Sequence, residues 1–348
     1  MRDLTDGRDS LNPNGIKRGG FTVARSLLVE GVPIRVPSQK NMLKADRSPF
    51  EFDGNLVKDL LLGESWAAMV PEKDLGGAGL KKTSATPTGA VEAMTFAGCK
   101  NIDNGKACQF CLVGKAGGKA AVPPNSVVDE IKAIRAAGVP VTMAVLNTGQ
   151  MENRGEMDAL ANCAYEIKRY DPGIKVAAEV WPGSLPKDPS SLKGVIDLFQ
   201  VNMELSSDYA RKILCPAKPK SEAYFSAFWS LRKNGFQVTS ALQTNYYLEI
   251  EPLAGVLSAV WRMQAMGVVP ELLVSRGVIG SSVKDGYWDR KTTFAQNLGR
   301  FAQWLDRMEI IAGSAGKYIS EATQALSGGC AKCGMCNINA EAGGGKYA

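Results

Sequence analysis

The chain contains no histidine. Without an imidazole there is no Ser-His-Asp or Cys-His nucleophile, no two-histidine, one-carboxylate iron, no Cys₂His₂ zinc, no Rieske centre and no CxxCH haem attachment. Any metal must be held by cysteine or carboxylate, and any proton must move through Asp, Glu, Lys, Tyr, Cys or water. Long apolar runs are missing as well. No stretch approaches the roughly 18 apolar residues of a membrane span, and the opening MRDLTDGRDSLNPNGIKRGG lacks the apolar core of a signal peptide, so a soluble cytoplasmic protein without membrane contact is expected. A basic stripe is also absent: 41 Lys and Arg against 35 Asp and Glu are spread along the chain, net +6, and no nucleic-acid partner is expected. GGAGLKKT and GKAGGKAA each lack part of the phosphate-cradling loop pattern, and GSAGK near residue 313 reads as a helix-end glycine turn.

What is present is an ordinary globular composition, 45% hydrophobic and 22% charged over 348 residues, enough for one large α/β barrel or two ordinary domains. The eight cysteines are Cys99, Cys108, Cys111, Cys163, Cys215, Cys330, Cys333 and Cys336. Six of them form two tight triplets, C-x8-C-x2-C and C-x2-C-x2-C. In a reducing compartment such spacing argues for metal binding over disulfides. A closed zinc site needs four ligands, and with no histidine each triplet falls one short. A cubane iron–sulfur cluster held by three thiolates leaves one iron open to a substrate, a cofactor or an exogenous sulfur. A zinc knuckle built from Cys108, Cys111 and two of Cys330, Cys333 and Cys336 is the bland alternative. Cys163, in the helical pattern MDALANCAYEIKRY, reads as a small core residue; Cys215 reads either as core or as a fourth ligand to one cluster.

Residues 1–88 read as an N-terminal extension with a β-hairpin over 20–38 and a helix-like NLVKDLLLG. Over 89–312, strand and helix patterns alternate through six units, starting at VEAMTF and ending with the strand ELLVSRGVI and the helix FAQNLGRFAQWLDRMEII. Apolar strands between short helices indicate a parallel sheet buried on both faces. The expected fold class is therefore α/β, a partial or full (β/α) TIM-type barrel, with an open doubly wound sheet as the alternative. Residues 313–348 form a C-terminal segment carrying the second triplet. The first triplet directly follows the first strand, at the strand's carboxyl end, where catalytic groups collect in such barrels.

A three-cysteine loop after the first of six β/α units, with Phe110 just before the last cysteine, resembles the radical S-adenosylmethionine superfamily. Within it the chain is most similar to the biotin synthase and lipoyl synthase branch, in particular a family associated with nitrilase gene clusters and the archaeal-type two-component lipoyl synthases. The similarity runs over about residues 88–340 and includes GCKNIDNGKACQFC, VNMELSSDYARKIL and GGCAKCGMC. The first gap departs from the superfamily's commonest C-x3-C-x2-C spacing, having eight residues.

The resemblance implies that Cys99, Cys108 and Cys111 hold a [4Fe–4S] cluster whose open iron binds the amino and carboxylate groups of S-adenosylmethionine. It places Phe110 near the adenine, Asn147, Thr148 and Gly149 at the methionine amino group, Glu179 and Glu204 on the active face, Arg211 at the methionine carboxylate, and Val278, Ile279 and Gly280 along the adenine. Cys330, Cys333 and Cys336 resemble ligands of a second, auxiliary [4Fe–4S] cluster. The implied activity is generation of a 5′-deoxyadenosyl radical followed by sulfur insertion into C–H bonds, as in lipoyl synthases. The implied partners are a small-molecule or acyl-carrier-protein-bound substrate, a second radical S-adenosylmethionine subunit, and ferredoxin or flavodoxin as electron donor. Two other readings stay open: a radical S-adenosylmethionine enzyme of small-metabolite biosynthesis whose auxiliary cluster only binds substrate, and a non-enzymatic, zinc-stabilised β/α binding protein.

Overall fold

The computed structural model describes residues 90–111, 120–136, 140–151, 155–243, 251–273 and 294–328, together with strand segments at 2–3, 24–29, 32–37, 50–53, 56–59, 65–70 and 83–85. The N-terminal strands are β1 (Arg2–Asp3), β2 (Ala24–Val29), β3 (Val32–Pro37), β4 (Phe50–Asp53), β5 (Leu56–Asp59) and β6 (Ser65–Val70), paired in the order β1-β4-β5-β6-β2-β3. The expected hairpin is β2 against β3, antiparallel, with Val29 opposite Val32. The expected helix in NLVKDLLLG is instead strand β5. Pairing with β4 on one side and β6 on the other supplies ladder bonds that outweigh a short segment's helical preference.

The main sheet contains β7 (Thr83–Ala85), β8 (Ala90–Ala97), β9 (Ala120–Ala121), β10 (Met143–Thr148), β11 (Lys175–Val180), β12 (Leu198–Val201), β13 (Gln237–Gln243) and β14 (Val269–Leu273). Six of them, β8 and β10 to β14, are parallel and stand side by side in chain order. Each crossover therefore steps one strand in the same direction. Right-handed crossovers then place every helix on one face and leave the other face concave. A doubly wound sheet would reverse its order partway, so the fold is a partial β/α barrel, not closed along the described strands. The β8 edge is capped by β7 and β9, both antiparallel to it.

The helices are α1 (Lys100–Asp103), α2 (Pro124–Ala136), α3 (Glu156–Tyr170), α4 (Asp208–Leu214), α5 (Ser221–Lys233), α6 (Leu253–Ala265) and α7 (Phe294–Gln324). Strand residues such as Val91, Ala144, Leu146, Val176 and Phe199 pack against helix residues such as Ile131, Leu160, Phe228, Val260 and Ile311 in one continuous core. Each large side chain fully buried there contributes about 1.5–3 kcal/mol. Cys163 lies in this core as expected, and burial pushes its thiol up to about 12. The glycine turn expected near residue 313 is absent. Helix α7 runs through Gly313 to Gln324, because Ile311, Ala315 and Ile319 keep one buried stripe and outweigh a glycine's penalty of about 1 kcal/mol. Among the described residues, no helix is long and apolar enough to cross a membrane.

Along the strands the other face changes character at a period of two. Its amino-end half is a small apolar floor of Ala90, Met143, Val145, Ala177, Leu198 and Val269, closed by Leu326 from beyond α7. Two residues further along the same strands stand Glu92, Asn147, Glu179, Gln200 and Glu271. The carboxyl-end half of this face is thus polar. Glu271 accepts from Gln200 Nε2 at 3.0 Å and from Thr239 Oγ1 at 2.7 Å, while Asn147 donates to Glu92 at 2.9 Å.

Candidate functional site

Cys99 follows the end of β8 by two residues, and the end of β10 fixes its position. Lys100 N donates to Gln150 O at 2.8 Å, and at Gly149 a Cβ atom would lie 1.5 Å from Gly98 O. Only glycine allows so close a backbone approach. The β8–β10 register shifts at Asn147/Thr148, a bulge that re-aims this strand end beside the cysteine loop. Gly149 therefore lies against Gly98 and Cys99, with Asn147 and Thr148 preceding it along β10 opposite Met94 and Phe96.

The eight-residue gap from Cys99 to Cys108 is taken up by a helical turn. After α1, Gly105 has φ +65°, its N–H donates to Ile102 O at 3.1 Å, and Lys106 N–H donates to Asn101 O at 2.7 Å. That is a Schellman cap, and it returns the chain toward its start. The Cys108–Cys111 turn closes with Cys111 N donating to Cys108 O at 3.0 Å. It docks on the carboxyl end of α4, where Gln109 N donates to Leu214 O at 2.8 Å and Gln109 Nε2 to Ile213 O at 2.9 Å. Cys108 and Phe110 pack on Leu205, Ala210, Leu214 and Cys215. Cys215 is completely buried in that cluster. Hydrogen bonding with Cys215, helped by the nearby Lys218 ammonium and opposed by burial, holds the Cys108 thiol below its ordinary value; Cys215 is pushed up in turn.

Glu204, three residues beyond β12, has φ +65° and is the only non-glycine residue with positive φ among those described. A left-handed glutamate costs on the order of 1 kcal/mol and persists only where its surroundings over-determine it. Here its backbone bridges β13, with Glu204 N on Ala241 O at 2.8 Å and Gln243 N on Glu204 O at 2.7 Å. Its carboxylate takes Lys218 Nζ at 2.8 Å and Gln243 Nε2 at 2.9 Å. Glu251 accepts from Ser206 N and Ser207 N and fixes the next turn. Lys218 also donates to Asn202 O at 3.1 Å, and Asn202 Nδ2 donates to Glu179 at 2.7 Å. Burial works against the Lys218 ammonium, but the Glu204 carboxylate holds it well above the usual lysine range.

Glu179 is raised, first by burial and then by the Glu204 charge, with Lys218 and Asn202 opposing. A raised carboxyl favours the protonated form on folding, so it lowers stability as pH climbs from the ordinary carboxylate range upward. Glu179→Gln is expected to raise the melting temperature at neutral pH, with the difference vanishing below about pH 4, where both chains are neutral at this position. Thermal melts across that range check it.

The structure places Arg211 elsewhere. Its guanidinium, 1% exposed, donates to Met203 O, Leu205 O, Pro219 O, Asp208 and Ser221 and sits over the Tyr224 ring. It ties the Glu204 turn to α4 and α5 instead of presenting donors to the concave face. A buried cation bonded to Glu204 and close to Cys108 is Lys218, which sequence reasoning missed, together with Asn202 and Gln243. Asn202, two residues before Glu204 in the same NME strand end, carried a signal through period-two spacing; Lys218 carried none.

Val278, Ile279, Gly280, Cys330, Cys333 and Cys336 lie outside the described residues. The described part of the sixth strand runs Val269–Leu273, two residues earlier in its start than the pattern implied. The described chain ends at Gly328, against Met143 and Lys175 at the amino ends of β10 and β11, two residues before Cys330.

Among the described residues no three Cys, Asp or Glu groups converge closely enough to hold a single metal ion. The three loop thiols are half-buried on one rim. A cubane takes thiolates at separate corners, farther apart than a lone ion does, and this all-sulfur donor set suits it.

No family model matches the chain, and no curated protein matches it. Solved structures do. The radical S-adenosylmethionine methyltransferase TsrM from Kitasatospora setae aligns over 53% of this chain and 36% of its own, with 16% identity and a TM-score of 0.38. Methylornithine synthase (PylB) aligns over 63% and 62%, with 12% identity and a TM-score of 0.41. Coproporphyrinogen III oxidase (HemN) from Escherichia coli aligns over 71% and 57%, with 12% identity and a TM-score of 0.40. The alignments thus span less than two thirds of each of these proteins. None reaches a quarter identity or a TM-score of 0.5, so what the site does must be argued from its own residues.

Proposed function

We propose that the chain is a radical S-adenosylmethionine enzyme that inserts sulfur into C–H bonds in the manner of lipoyl synthases. The observation that carries the reading is the anchoring of the Cys99–Cys111 loop. It is pinned to β8 and β10 at Gly149 and docked on α4 at Gln109, and it shares a rim with the polar Glu204–Lys218–Asn202–Glu179 group. Cys99, Cys108 and Cys111 would hold the cluster. When bound, such a cluster supplies one low-potential electron to the sulfonium of S-adenosylmethionine, breaking a C–S bond to give a primary carbon radical.

The chain's own residues bind and orient. Asn147, Thr148 and Gly149 border the loop at the strand end, Phe110 offers an apolar face, and Glu204 and Glu179 present carboxylates to ammonium or ribose hydroxyls. Lys218 holds the Glu204 carboxylate in place at 2.8 Å. No histidine is required, because hydrogen abstraction by a carbon radical needs no general base. The second triplet, Cys330, Cys333 and Cys336, would hold an auxiliary cluster as sulfur source. The electron would come from a ferredoxin or flavodoxin.

Anaerobically reconstituted protein is expected to hold about eight irons and eight sulfides per chain. Clusters rebuilt with ³⁴S sulfide should pass labelled sulfur to an octanoyl-type acceptor in one turnover, with loss of the auxiliary cluster. Product formed over many turnovers with that cluster intact would instead mean substrate anchoring. Stoichiometric zinc without charge-transfer absorbance would overturn the enzyme reading altogether.

A further inference from the structure

The Cys108–Cys215 contact is left unused by the proposed chemistry. Cys215 caps the carboxyl end of α4, and the backbone bond from Gln109 N to Leu214 O at 2.8 Å joins the neighbours of the two cysteines. Cys108 itself packs against the buried cluster that contains Cys215. Cys163, by contrast, lies in the helix-side core beneath α3, a separate cluster from that around Cys215.

We propose that in the iron-free chain Cys108 and Cys215 form a reversible disulfide, which withholds one thiolate from the first triplet until it is reduced. The inference rests on the reading of Cys108 as a cluster ligand. The exposures of the two thiols set the order of events. Cys108 is half-buried and reachable, whereas Cys215 is 0% exposed and cannot meet an external oxidant. Cys108 therefore attacks a small-molecule disulfide such as oxidised glutathione, releasing one glutathione thiol and leaving a mixed disulfide. Cys215 then displaces the second glutathione from the Cys108 sulfur. One S–S bond breaks and one forms; two protein thiols are oxidised, and their protons leave on two reduced glutathiones. With cluster bound, Cys108 is occupied by iron and the exchange has no entry point, so the bond reports on the apo-protein alone. The pairing also shields from further oxidation a thiol that the loop otherwise presents to solvent.

The test is non-reducing peptide mapping of the full-length apo-protein after incubation with oxidised glutathione, followed by anaerobic iron and sulfide loading with and without prior reduction. The expected result is a Cys108–Cys215 cross-link, with iron uptake at the first triplet lowered to that of Cys108→Ser and restored by dithiothreitol. In Cys215→Ser the link is lost, Cys108 carries glutathione instead, and the oxidation is reversed by a milder thiol pulse. Mapping the wild type decides the matter even where that variant folds poorly. A Cys108–Cys111 link, or glutathione remaining on Cys108 in the wild type, would overturn the proposal. Reduced protein that takes up no iron at the triplet would overturn the cluster reading instead, whatever link the mapping shows.

Discussion

Cys99→Ala, Cys108→Ala and Cys111→Ala are each expected to abolish formation of 5′-deoxyadenosine from S-adenosylmethionine, whereas Cys330→Ala, Cys333→Ala and Cys336→Ala should leave that cleavage measurable. With three thiolates on one loop and no histidine in the chain, a lost ligand has no imidazole to replace it. Removing an outer-sphere partner already costs about 10–100-fold in metal affinity or activity, and loss of a ligand itself should exceed that. Among the described residues the thiol beside Cys108 is Cys215, which is completely buried at the carboxyl end of α4, whereas Cys99 is anchored at Gly149. Cys215 is poorly placed to substitute for Cys99 or Cys111. Anaerobic assays with dithionite, read by chromatography of 5′-deoxyadenosine alongside iron content, decide the outcome. Cleavage lost in the C-terminal variants but kept in the loop variants would mean that the two triplets have been assigned the wrong way round.

The residues differed sharply in how far they disclosed their roles. Parallel strands buried on both faces write themselves as short apolar runs, and KVAAEV, LFQV and QVTSALQ were legible for that reason. Strand order was not legible, since both barrel and doubly wound sheets alternate strand and helix; only the side-by-side pairing separates them. The cysteine loop could be read because its chemistry is concentrated in spacing. Arg211 misled because a cation near a strand end looks the same in sequence whether it faces a ligand or closes a turn. Its donors are drawn inward by the carbonyls of Met203 and Leu205, which flank the left-handed turn at Glu204. Lys218 could not be read at all. It reaches Glu204 across fourteen residues, and only because α4 and the turn after it fold back.

Gly149→Ala is expected to remove the first cluster from a chain that still folds. An alanine Cβ would stand 1.5 Å from Gly98 O, 2.6 Å from Gly98 C and 3.0 Å from Cys99 Cβ, and the first two of these are backbone atoms that cannot swing aside. Overpacking commonly costs about 1–3 kcal/mol, and here it falls on the seam that aims Cys99. The main core lies on the far side of the sheet and keeps its contacts, so the cost should appear as displacement of the loop rather than global unfolding. Reconstituted Gly149→Ala should therefore retain only about half the iron, that of the C-terminal triplet, and make no 5′-deoxyadenosine. Gly313→Ala is the matched control. On α7 its Cβ meets nothing within 4 Å, so it should raise stability by about 0.4–1 kcal/mol and leave iron unchanged. If Gly149→Ala loads both clusters as the wild type does, the β8–β10 seam does not position Cys99, and the loop must be held by its α4 contact alone.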